Sequence, residues 1–90
     1  MLTPVFTNKF NKDLKKIKQS GNKNIEKIKD VIQKLVNLEK LENRYRDHIL
    51  VGNYKKRREC HIEPDWLLIY KIEGDYLILE RTGTHSELFR

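Results

Sequence analysis

The chain has a single cysteine, no long apolar run and no histidine before position 48, and each shortage narrows what it can be. Cys60 has no partner, so no internal disulfide can staple the fold and a reducing cytoplasm suits it. Its alternation with Ile62 assigns it to the core face of a strand, against the competing reading of a nucleophile between Glu59 and His61. A helix needs about twenty consecutive apolar residues to span a bilayer, and no stretch approaches that. The start, Met1-Leu2-Thr3-Pro4-Val5-Phe6, also lacks the basic region and apolar core of a signal peptide, so a cytoplasmic protein with no membrane partner is expected. Repeats and low-complexity tracts are missing too. Ninety residues allow one domain, 1–90, with a modest core and a shallow site built on its surface. Paired metal-ligand spacings are likewise absent. His48, His61 and His85 lie 13 and 24 positions apart (61 − 48 and 85 − 61), so a zinc site made from them and Cys60 is not expected, and no cofactor is called for.

What the chain does have is positive charge, helical periodicity in its first half and strand periodicity in its second. The formal net charge of +6 surrounds it with a field that favours encounter with polyanions. Pro4 restricts Thr3 to Phe6 to an edge strand or a strand start. Phe6, Phe10, Leu14 and Ile17 then recur at helical spacing, with Thr7 or Asn8 as cap and Gly21 as stop. A second helix from about Asn24 carries Ile25, Ile28, Ile32, Leu35 and Val36 on one stripe, while lysines solvate the opposite faces. The segment from Glu39 to Asp47 reads as a loop, with Tyr45 able to pin it down. After Gly52-Asn53 come a strand around Cys60 and Ile62, a turn at Glu63-Pro64-Asp65, a central strand from Trp66 to Ile72, a turn at Glu73-Gly74-Asp75 and a last strand, Tyr76 to Arg81. Thr84 and Glu87 have capping-box spacing for a short terminal helical turn that would orient His85. The expected fold is α+β in the order βααβββ, a helical hairpin packed on a small antiparallel sheet with a short helical turn at the end.

The three histidines fall among Asp65, Trp66, Arg81 and Phe89, which offers near-neutral acids and bases to an anionic substrate. Three segments sharpen this: Asp47-His48-Ile49-Leu50; Arg58-Glu59-Cys60-His61-Ile62-Glu63-Pro64-Asp65-Trp66; and Arg81-Thr82-Gly83-Thr84-His85-Ser86-Glu87-Leu88-Phe89. Together they resemble the RelE/ParE superfamily of bacterial toxins, and within it the YafQ branch, mRNA interferases of type II toxin-antitoxin systems. The resemblance runs over essentially the whole chain, with its specific motifs in the second half. It implies that His48, His61, Asp65, His85 and Phe89 lie in a catalytic cleft with Arg81 and Trp66 beside them. It also implies messenger RNA as substrate, cut during translation on the ribosome, and a cognate antitoxin that forms a hetero-oligomer with the toxin.

Cleavage by the ribose 2′-hydroxyl needs a base, an acid for the leaving 5′-oxygen and a cation for the phosphate, but no metal, because the nucleophile is already tethered. His85 is the expected acid, with Asp65 orienting an imidazole; His48, Glu59 and His61 compete as base. Arg81 is the expected phosphate cation. It shares strand parity with Leu77 and Leu79, however, so either the apolar face opens into the cleft there or Arg81 makes a structural salt bridge. Trp66 and Phe89 are base platforms or core aromatics. Of Lys55-Lys56-Arg57-Arg58, alternate members such as Lys56 and Arg58 can meet RNA, and the rival reading is a solvated strand edge. A ParE-like toxin that inhibits a protein such as DNA gyrase without catalysis, and an inactive RNA-binding relative, are the alternative functions.

Overall fold

The computed structural model describes residues 1–50 and 56–89. The Gly52-Asn53 signal and Lys55 lie outside the described residues. Strand β1 (Thr3–Phe6) leads into helices α1 (Asn8–Ser20) and α2 (Ile25–Val36), followed by a 3₁₀ turn (Asn43–Tyr45) and a two-residue strand, β2 (His48–Ile49). Strands β3 (Arg58–Glu63), β4 (Trp66–Glu73) and β5 (Tyr76–Gly83) form a meander, and α3 (His85–Leu88) ends the described chain. These strands make one sheet in the order β1-β5-β4-β3-β2. The α+β class and the order of helices and meander agree with expectation. Three details differ. The segment between Glu39 and Asp47 contains a 3₁₀ turn, β2 extends the sheet beyond β3, and β1 runs parallel to β5, so the sheet is mixed. Parallel pairing needs a long connection, and the helices and meander between β1 and β5 supply it.

Both long helices start and stop where short polar residues and glycine satisfy their ends. Thr7 Oγ1 accepts the Phe10 N–H at 3.0 Å, Gly21 takes the left-handed conformation that ends α1 (φ 68°), and Asn24 caps α2 through the Glu26 N–H. The apolar stripes shift slightly from those read off the sequence. Phe6 belongs to β1 and is 45 % exposed, because the helix begins only after its cap at Thr7. In α2, Val31 joins Ile28 and Leu35 at the centre of the buried face, while Ile25 and Ile32 flank it half-buried.

From Trp66 to Tyr70, β4 is buried at every residue. Trp66, Leu68 and Tyr70 join Phe10, Ile28, Leu77 and Leu79 in the main core beneath the helices, and Leu67 and Ile69 meet Leu88 of α3 and Leu50 on the opposite face. Trp66 is therefore core and not a base platform. Its ring is fully buried, with Nε1 donating to Thr82 Oγ1 at 2.9 Å and the Lys23 ammonium 5.8 Å from the ring centroid. A bulge in β5 resolves the parity conflict at Arg81. Tyr70 pairs with Leu79 but Ile69 pairs with Arg81, which leaves Glu80 as an extra residue and turns Arg81 to the face away from the helices. Trp66→Phe should lower unfolding stability by about 1–3 kcal/mol in urea titrations, from the lost hydrogen bond and packing. A variant as stable as the parent would contradict the core assignment.

Candidate active site

Directly opposed residues of antiparallel strands share a face, so strand register places the site residues. His48, Glu59, Ile69 and Arg81 form one row across β2, β3, β4 and β5, and His61, Leu67 and Gly83 form the next. Both rows lie on the face away from α1 and α2. Leu88 docks α3 onto Leu67 and Ile69, bringing His85 and Phe89 over this face. The imidazoles then follow one another, with ring centroids 6.4 Å apart for His48 and His61 and 5.7 Å for His61 and His85; the Phe89 ring lies 6.2 Å from that of His85.

Each ring is held by an acceptor that dictates which nitrogen carries a proton. His48 Nδ1 donates to the Arg46 carbonyl at 2.6 Å, and Nε2, on a half-exposed ring, lies 4.0 Å from Glu59 Oε1. Arg46 adopts a left-handed backbone (φ 47°, ψ 45°) that costs a non-glycine residue about 1–2 kcal/mol. His61 Nδ1 donates to the Pro64 carbonyl at 3.2 Å while Nε2 faces Glu59 Oε1 at 3.0 Å. Glu59 is buried, 3.0 Å from one imidazole and 4.0 Å from the other. Asp65 Oδ1 accepts both the backbone N–H and the Nδ1–H of His85, each at 3.0 Å, so His85 Nε2 is the nitrogen left for chemistry.

The terminal turn is electrostatically pinned. Thr84 and Glu87 form the full capping box, and Glu87 Oε2 lies 2.9 Å from the Lys16 ammonium. A side chain at Gly83 would crowd that carboxylate, since an added Cβ would sit 3.0 Å from Glu87 Oε1. The Thr84 backbone N–H, followed by Lys16, brings the Glu87 carboxyl down to about 2. His85, through its backbone N–H and then its ring, lowers that of Asp65.

Arg81 is on the site face but is also anchored. Its Nε and Nη2 donate to the two oxygens of Asp13 at 2.7 and 3.1 Å, and the same carboxylate accepts the Thr82 N–H at 3.1 Å. Asp13 thus continues the β5 edge where β1 stops. Arg58 lies opposite Tyr70 on the helix-facing side of the sheet, away from the imidazoles, and donates to Asp47 Oδ1 at 3.2 Å. Asp47 also accepts from the Tyr70 hydroxyl at 2.7 Å, so this group anchors the chain just before His48; burial, with Asp47 second, pushes the Tyr70 phenol up. Lys56 is exposed and close enough to Glu73 for its charge to act there, at the far end of β4 from Trp66. Neither Arg58 nor Lys56 lines the imidazole cluster. Cys60 is fully buried, and burial drives its thiol pKa upward, as befits a core cysteine.

Glu59, His61 and His85 can each direct one donor atom to a common point, all within 4.8 Å of one another. Spacing along the chain had argued against such a grouping; the fold assembles it from β3 and α3. An N,N,O donor set of this kind suits a transition-metal ion. Sequence reasoning also missed the Arg46 and Pro64 carbonyls, since a backbone acceptor leaves no mark on residue type. Asp13 did leave one, as the lone acid of the otherwise basic α1.

Comparison with known proteins places the whole chain in a family. The family model described as the bacterial toxin of the type II toxin-antitoxin system, YafQ, matches residues 2–90. The chain belongs to the YafQ toxin family. The mRNA interferase toxin YafQ of Escherichia coli K12 is 41 % identical to this YafQ family member over 85 residues, covering 93 % of this chain and 91 % of the relative. A copper-bound mutant toxin from Helicobacter pylori superposes with a TM-score of 0.92 at 40 % identity, covering 99 % of this chain and 100 % of the other. The toxin in the E. coli DinJ-YafQ complex gives 0.88 at 38 % identity, with both chains fully covered.

The capping and Asp65 contacts have a definite acid signature. A carboxyl held below its ordinary pKa adds stability above that value and loses it as pH falls through the folded one. For Glu87 the window runs from 4.5 down to about 2, and Asp65 shifts in the same direction. NMR of the His85 and Leu88 amides should show α3 docked at pH 5 and released on descent toward pH 2. Shifts that stay constant across this range would contradict the assignment.

Proposed function

We propose that this chain is a cytoplasmic mRNA interferase, an endoribonuclease that cuts messenger RNA through its own 2′-hydroxyl and is silenced by a cognate antitoxin. The observation that carries the proposal is the run of three imidazoles in contact on one face, each with one nitrogen committed to a fixed acceptor. A ParE-like module that only occupies a protein target has no need of such an array. The similarity to the E. coli mRNA interferase supports the same reading, and the DinJ-YafQ complex supports an antitoxin partner for this chain.

In the proposed mechanism, His48 takes the 2′ proton at Nε2, the lone pair that its bond to Arg46 leaves exposed. Glu59 is buried and His61 has acceptors at both nitrogens, so neither competes well as base. The 2′-oxygen attacks phosphorus, the bond to the 5′-oxygen breaks, and His85 protonates the leaving oxygen from Nε2. Asp65 holds that ring at Nδ1 and so orients Nε2 toward the leaving oxygen. The products are a 2′,3′-cyclic phosphate and a 5′-hydroxyl. Arg81 is a positioning residue tied to Asp13. Phe89, 40 % exposed beside His85, is placed to stack on an unpaired base.

Tethering makes the nucleophile effective without metal activation of water. A transition ion at Glu59, His61 and His85 would instead withdraw the acid, so the same donors make the enzyme metal-sensitive.

Purified protein should cut RNA in the presence of a chelator and leave 2′,3′-cyclic phosphate ends. His85→Ala should slow cutting by about 10²–10⁴-fold with unchanged far-UV circular dichroism; cutting at the parental rate would remove His85 as the acid. Stoichiometric copper(II) should inhibit the wild-type protein and chelator should reverse it, whereas activation by the ion would overturn the metal-free mechanism.

A further inference from the structure

A second concavity adjoins the imidazole cluster and takes no part in the chemistry above. This cleft of about 460 Å³ opens between α2, the 3₁₀ turn and β3, with Lys27, Asp30, Arg44, Arg46, His61 and Glu63 in its wall. It shares His61 with the cluster, and it includes the residue whose carbonyl holds His48. We propose that it is the subsite for a nucleotide flanking the scissile phosphodiester, an inference that rests on the ribonuclease reading.

Three observations support the assignment. First, the cleft wall contains His61, the ring between His48 and His85, and also Arg46 and Pro64, whose carbonyls hold His48 and His61, so the cleft directly borders the place where a phosphate among the imidazoles would lie. Second, the cations are suited to a phosphate backbone. Lys27 is committed to Glu63 at 2.8 Å, but no carboxylate among the described residues pairs with the Arg46 guanidinium. Arg44 is pre-placed, with Cζ 4.8 Å from the centroid of the Tyr45 ring and Nη2 donating to the Tyr45 hydroxyl at 2.9 Å; its ion pair with Glu42, at 3.6 Å between two exposed side chains, is a weak one that a phosphate can displace. A planar guanidinium so held can bond two phosphate oxygens at little entropic cost. Third, Asp30 brings an exposed carboxylate to the same cleft, an acceptor for a ribose hydroxyl or a base amino group.

The test compares Arg44→Gln/Arg46→Asn with Lys15→Asn/Lys18→Asn, an equal charge change on the exposed side of α1. Asparagine tolerates the left-handed backbone at position 46 and keeps the carbonyl that holds His48. The probe is a mixed-sequence 2′-O-methyl oligoribonucleotide, which cannot be cut, carrying 4-thiouridine for photocrosslinking. Anisotropy titrations should show the cleft variant binding about tenfold more weakly, with a salt slope shallower by about one to two, and the α1 variant within about twofold of wild type. Crosslinks in the wild type should fall on residues 43–46 and 61–64. Equal weakening by both variants, unchanged affinity of the cleft variant, or crosslinks confined to other segments would each overturn the subsite. Failure of the wild-type protein to cut unmodified RNA would instead overturn the ribonuclease reading, so the two failures are distinguishable.

Discussion

Burial of β4 on both faces from Trp66 to Tyr70 is the constraint from which the rest of the architecture follows. A strand with apolar side chains on each side must be covered twice. Helices α1 and α2 cover Trp66, Leu68 and Tyr70, and the small helix α3 covers Leu67 and Ile69 through Leu88. Because α3 is a single turn, it shields only part of the second face, and the remainder stays open as the site. The group that completes the core on this side therefore also delivers His85 to His61.

Around that frame, fixed acceptors convert loosely placed imidazoles into a directional set. Two are backbone carbonyls, of Arg46 and Pro64, and the third is the exposed carboxylate of Asp65. A carbonyl has no proton to give, so the facing ring nitrogen must be the donor and the other nitrogen's role follows. Asp65 acts twice, on the backbone and on the ring of one residue, which couples docking of α3 to the orientation of the His85 imidazole. The same donors that make the site suited to proton transfer also converge closely enough to ligate an ion.

Much of the scaffold was legible in residue order. Thr7, Gly21, Asn24 and the Thr84–Glu87 box mark helix ends through local hydrogen bonding that depends only on near neighbours. His48, His61, Asp65, His85 and Phe89, carried by resemblance to the YafQ branch, gather on one face. Of the two readings open for each, Trp66 and Arg58 take the one away from the imidazole face, for different reasons. Trp66 begins the doubly covered strand and has its polar handle satisfied by Thr82, a partner 16 residues away. Arg58 belongs to the opposite strand face from Glu59 and His61 and is held there by Asp47. Arg81 had the reverse problem: alternation alone sends it to the core, and the single inserted residue at Glu80 returns it to the site face.

By itself the sequence determined the α+β class, the helix boundaries, the buried character of β4, the toxin family and the set of residues able to do acid-base chemistry. The family rests on resemblance of three motif segments to the YafQ branch; the other properties follow from periodicity, capping and residue type, all of which act over a few positions or are read residue by residue. Tertiary structure alone decided which acceptors hold each histidine, that Glu59 is enclosed between two imidazoles, that Arg81 is tied to Asp13, and that a cleft lined by Lys27, Arg44 and Arg46 opens beside His61. Each of these depends on register, on a bulge, or on acceptors supplied by distant backbone, and a register change of one residue would send every side chain of a strand to the other face.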